Sequence, residues 1–102
     1  MTAELGRFND PALLILTSLA AGPRHGYGMM QDIAQFSGVR LEPGTLYAAL
    51  TRLEDRGWIE ALPADDRRRP YGLTTAGAAA LRDKLAVLHA ITELGTARLA
   101  TA

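Results

Sequence analysis

The stretch PGTLYAALTRLEDRGWIE, residues 43 to 60, decides the fold, because it joins an amphipathic helix through one glycine to the start of a strand. Pro43 suits the first turn of a helix, where its missing N–H would have no partner in any case. Leu46, Ala49, Leu50 and Leu53 then recur at helical spacing on one face. The opposite side carries Thr45, Tyr47, Ala48, Thr51 and Arg52, a mixture of small, hydroxyl and cationic groups that can approach a groove without a bulky apolar barrier. Gly57 closes the helix and Trp58-Ile59 opens a strand. A helix with one buried and one free face, leading directly into a strand, has the order of a DNA-reading helix followed by a wing.

Upstream, Asp10 is a good N-cap before Pro11, and the run from Ala12 to Ala21 is apolar nearly all round, as expected of a helix buried on more than one side. Gly22-Pro23 ends it. A second helix is predicted to start near Gly26, with Met29, Met30, Ile33 and Phe36 inward and Gln31 and Gln35 outward, and to stop at Ser37-Gly38. Downstream, strands are predicted at about residues 58–62 and 69–73, making one hairpin whose connection begins at Pro63. Pro70 is expected at an edge or a bulge. Thr74 caps a last helix running from Thr75 to about Thr101, ~40 Å at 1.5 Å per residue.

That last helix is long for the domain beneath it. Leu81, Leu85 and Leu88 make one stripe and Val87, Ile91 and Leu94 a neighbouring one, so much of a broad apolar face would meet water in a monomer. The expected cover is the same helix of a second copy, with Leu81, Leu85, Leu88, Ile91 and Leu94 at the interface, joined by the first helix and by Leu5 and Phe8. The rival cover is packing against the first helix of the same chain.

Three ordered blocks carry a family likeness. GPRHGYGMMQDI at residues 22–33, the opening stretch at 43–60, and RRRPYGLTTAG at 67–77 together resemble the PadR family of bacterial transcriptional regulators, a likeness that covers residues 10 to 77. The resemblance implies a mainly α fold with a small β-hairpin: a winged helix-turn-helix over residues 10–74, then a C-terminal dimerisation helix over 75–102, all one domain. The single long helix at the end is similar to the short subgroup of the family. In the family, the Gly-Thr-Leu-Tyr motif and the tyrosine of the second helix lie at the DNA surface. That implies DNA contacts for Gly44, Thr45, Tyr47 and Tyr27 here. Ala48 would give close approach, Arg52 would reach a phosphate or a guanine, and Arg67, Arg68 and Arg69 would form the wing tip. Three positions depart from the family pattern: Glu42 stands where a serine cap is usual, Gly72 where a basic residue often is, and Pro70 interrupts the return strand.

Composition bounds these readings. With 102 residues and an apolar fraction of 48%, one folded domain is expected. There is no cysteine, which excludes disulfides, thiolate catalysis and cysteine-bound zinc. His25 and His89 lie far apart without companions, so neither a metal nor any other cofactor is expected. The start MTAELGRFND has no basic run followed by an apolar one, and no apolar stretch approaches a membrane span, which reads as a soluble cytoplasmic protein.

Charge is balanced, 11 basic against 11 acidic residues, which argues mildly against nucleic acid. The contiguous arginines at 67, 68 and 69 restore a local field, although Asp65 and Asp66 beside them weaken it. The expected partner is double-stranded DNA carrying an inverted repeat, bound by a homodimer that acts as a repressor. The resemblance adds a small-molecule effector whose identity the sequence does not carry. Because the last helix has no aromatic residue, no flat aromatic sandwich is expected at the dimer centre. A winged helix used only for protein contacts is the alternative. An enzyme has little support, since no nucleophile and base pair stands out.

Overall fold

The computed structural model describes residues 10–64 and 67–102, arranged as four helices and a three-stranded sheet. The order is α1 (Pro11–Leu19), β1 (Arg24–His25), α2 (Gly26–Ser37), α3 (Pro43–Asp55), β2 (Ile59–Ala61), β3 (Pro70–Leu73) and α4 (Thr75–Ala100). Leu5, Phe8, Asp65 and Asp66 lie outside the described residues.

Helix α1 is the hub. The Asp10 carboxylate accepts from the Ala12 N–H at 2.9 Å, and Pro11 occupies the first turn, so the helix starts as its sequence dictates. Leu14, Ile15, Leu16 and Leu19 are buried, and the helix touches α2, α3, α4 and β3. Met29 and Ile33 of α2, Leu46, Ala49, Leu50 and Leu53 of α3, Ile59 of β2 and Leu81 of α4 complete one core. One buried polar group crosses it. Ser18 Oγ donates to Asp32 at 2.7 Å, and Arg24 lies 3.6 Å from the same carboxylate oxygen, tying α1, α2 and β1 together.

The glycine after α3 acts as expected. Gly57 takes φ 77°, Trp58 N–H bonds to the Leu53 carbonyl and Gly57 N–H to that of Glu54, the paired closure that a left-handed residue permits. The chain therefore leaves α3 and enters β2 without a loop. Thr74 then joins the two ends. Its hydroxyl donates to the Gly57 carbonyl at 2.6 Å and accepts from the Gly77 N–H at 3.0 Å, so the turn after α3 and the start of α4 share one side chain.

Three expectations change. The sheet has a third strand, β1, and its order is β1-β3-β2, both pairs antiparallel. Pro70 is therefore on the central strand, opposite His25, not at an edge. It is tolerated as the first residue of β3, where its carbonyl still accepts from Leu62 N–H at 2.9 Å. Phe36, expected inward, is 46% exposed, because it falls in the last turn of α2, two residues before Gly38 turns the chain away at φ 77°.

Candidate nucleic-acid interface

Helix α3 divides into a buried face and an uncovered one. Leu46, Ala49, Leu50 and Leu53 are all within the core, whereas Gly44, Thr45, Tyr47, Ala48, Thr51 and Arg52 are exposed. At 3.6 residues per turn, Gly44, Ala48 and Thr51 form the middle row of the free face, small residues that leave the backbone open to close approach. Asp55 ends that row with a negative charge. The half nearest the helix N-terminus is thus the part suited to a polyanion, where the helix dipole also favours negative charge. Glu42, the residue before Pro43, makes no side-chain cap bond there.

The two flanks of this face differ. On one side Tyr47, 49% exposed, rests its hydroxyl end on Gly26, and a Cβ at that glycine would overlap the ring. A side chain at the glycine of the His-Gly-Tyr-Gly segment would therefore push the half-exposed Tyr47 ring out of its present place. Tyr27, the next residue, is 62% exposed and its hydroxyl accepts from Gln31 at 3.3 Å. Tyr71 of β3 lies on this side too. Burial pushes its phenol up from the ordinary value, the nearby Glu54 and Tyr47 add to the rise, and Arg69 opposes it. A raised phenol stays protonated at neutral pH and keeps its O–H as a donor.

On the other side Arg52 lines a groove of about 570 Å³ between α1, α3 and α4. Arg56, which stacks 5.1 Å from the Trp58 ring centroid, and Trp58 itself line the same groove. Sequence reasoning gave Arg52 to DNA and placed Trp58 on a wing strand. The structure sets Arg52 at the edge shared by the free face and the groove, and Trp58 just before β2. At the hairpin, Arg67, Arg68 and Arg69 are all exposed.

Helix α4 leaves the domain quickly. Only Gly77 and Leu81 are buried along its 26 residues, and Leu85, Val87, Ile91 and Leu94 stand in the open, Ile91 at 62%. Leu81, grouped by its spacing with the interface stripe, is instead 6% exposed in the core of its own chain. It lies one turn past Gly77, where a Cβ would overlap the Trp58 carbonyl oxygen, and α4 is still pressed against the domain. Leu88 is half-buried. Among the described residues no group of His, Asp and Glu could hold a metal, and no helix is long and apolar enough to cross a membrane.

An uncovered helix beside a hairpin, on a three-helix core, defines a winged helix-turn-helix. The model of the transcriptional regulator PadR-like family matches residues 15–83, and the chain belongs to that family. It is 49% identical over 71 residues to an uncharacterized 37.1 kDa protein in transposon TN4556 of Streptomyces fradiae, a match covering 70% of this chain and 21% of that protein. The chain thus spans about a fifth of the length of that relative. It is 42% identical over 74 residues to the transcriptional regulator Rv3488 of Mycobacterium tuberculosis, covering 70% of this chain and 68% of the relative. Among solved structures, a PadR family transcription regulator from Clostridium difficile R20291 superposes with a TM-score of 0.78 at 26% identity, over 87% of this chain and 97% of that one. A PadR family regulator from Eggerthella lenta gives 0.74 at 28% identity, over 89% and 82%. The family, the Mycobacterium tuberculosis relative and both of these solved structures are described as transcriptional regulators.

Proposed function

We propose that this regulator binds an inverted-repeat operator as a homodimer and represses the promoter that contains it. The observation that carries the reading is the outer face of α3, which among the described residues no other element covers and which presents Gly44, Thr45, Ala48 and Thr51 between the Tyr27–Tyr47 edge and Arg52. In this reading Thr45 and Tyr47 bond phosphates or base edges, Ala48 admits a thymine methyl, Arg52 reaches a phosphate or guanine, and Arg67, Arg68 and Arg69 follow the backbone as a wing. Dimerisation is supported by the exposed apolar row of α4, Leu85, Val87, Ile91 and Leu94, since such a stripe is stable when a like surface covers it. Two copies on one axis present paired recognition helices, matched to half-sites ~34 Å apart. A small-molecule effector that releases the dimer from DNA completes the reading. The groove beside Trp58, shared by α3 and α4, supports it, because a group lodged there would touch both the recognition helix and the dimer arm.

The salt dependence of DNA binding tests the proposal. If about six phosphates are neutralised per dimer, log affinity falls against log salt with a slope near 5. A protein whose winged helix meets only other proteins would show no such binding.

A further inference from the structure

We infer that Asp32 is a positioning residue for the wing: with Ser18 and Arg24 it anchors β1, and through β1 it fixes the strand at whose end the wing arginines stand. The inference rests on the DNA-binding reading above, which gives these three residues no contact with DNA. β1 has only two residues and adds none to the apolar core, so neither a long ladder nor packing holds it. Its place nevertheless sets that of β3, because Arg24 pairs with Tyr71 and His25 with Pro70, the residue after Arg69. On the β2 side, Pro70 accepts from the Leu62 N–H at 2.9 Å but has no N–H to give in return. The ladder is therefore weakest on that side where the strand meets the wing tip, and β1 supplies the second hold.

Side chains make the anchor. Arg24 Nε donates to the Ser18 carbonyl at 3.3 Å and lies 3.6 Å from Asp32 Oδ2, the same oxygen that accepts from Ser18 Oγ at 2.7 Å. Ser18 is buried, and the side chains of Arg24 and Asp32 are mostly withdrawn from water, so the charge pair is screened less than one on the open surface. With its charge gone, Asp32 would no longer hold the guanidinium, and β1 and the near end of β3 would gain freedom. Arg67, Arg68 and Arg69 would then have to be ordered at the moment of binding, which costs affinity.

The test is fluorescence anisotropy of the full chain on a 30-base-pair duplex of random sequence, since phosphate contacts carry no sequence information. Asp32→Asn is compared in two backgrounds, the parent and a chain with alanine at Arg67, Arg68 and Arg69. Asparagine keeps the shape and still accepts from Ser18, so thermal melting should stay within a few degrees of the parent. Charge alone predicts tighter binding, because a negative group is removed and Arg24 is released toward a polyanion. Positioning predicts the opposite sign: binding about threefold weaker with a lower salt slope in the parent, and no change in the alanine background. Arg24→Gln should show the same dependence on the wing, whereas loss of a direct contact by Arg24 would persist without it. Tighter or unchanged binding by Asp32→Asn in the parent, or an equal loss in both backgrounds, would overturn the role. Wing alanines without effect on affinity would overturn it as well and leave the reading of α3 intact. Absence of any duplex binding by the wild-type chain at low salt would overturn it together with the DNA reading.

Discussion

At the scale of single residues, two glycines show how closely the elements around the free face approach each other. Gly77 lets α4 cross the Trp58 carbonyl at a distance that no Cβ allows, and the obstacle is backbone, which cannot swing aside. Gly77→Ala is therefore expected to destabilise the fold by ~1–3 kcal/mol in a denaturant titration, the usual cost of overpacking. An unchanged midpoint would mean that α4 lifts away at no cost. Gly26 serves Tyr47 instead, whose ring is half in water. Tyr47→Ala removes little buried area, so its melting temperature should stay within a few degrees while duplex affinity falls. Loss of folding would assign Tyr47 to the core. Much of this scale was legible beforehand. The buried set Leu46, Ala49, Leu50 and Leu53 follows from helical spacing, and the cap at Asp10 and the closure at Gly57 follow from residue chemistry. The packing of Tyr47 on Gly26 was not legible, because it joins residues far apart in sequence through a contact that leaves no period.

At the scale of elements, pattern decided the helices and failed at the sheet. A two-residue strand such as β1 has no alternation to read, so the third strand was missed, and with it the central place of Pro70. The consequence bears on function. β1 is continuous with α2 and pairs with β3, so the wing is tied through Arg24, Asp32 and Ser18 to the same helix that carries Tyr27. The hairpin tip itself is exposed and cationic. Changing Arg67, Arg68 and Arg69 together to alanine should lower affinity alike for all sequences and flatten the salt dependence, as loss of phosphate contacts does. An unaltered slope would take the wing out of the interface. Phe36 and Leu81 fail in opposite directions for one reason: spacing along a helix says which face a residue occupies, but not how far along the helix its cover extends.

At the scale of the whole molecule, the shape follows from α4. The principal extents of 55 × 28 × 20 Å describe a small domain with an arm, and the outer part of that arm carries an apolar row that no other described residue covers. Its length was readable from the sequence, as was the stripe, whereas the division between Leu81, inside the domain, and the exposed Leu85, Val87, Ile91 and Leu94 required the position of α1. Leu85→Glu places a charge on the exposed row and leaves the core untouched. It should convert a dimer to a monomer in sedimentation and abolish operator binding with it. A monomer that still bound its site would contradict the two-fold reading. The measurement that tests the central claim most directly is recovery of genomic fragments by the purified protein in moderate salt, followed by sequencing. The account predicts one inverted repeat, with half-sites about one helical turn apart, near a promoter. Fragments without a shared sequence, or none above background, would contradict it.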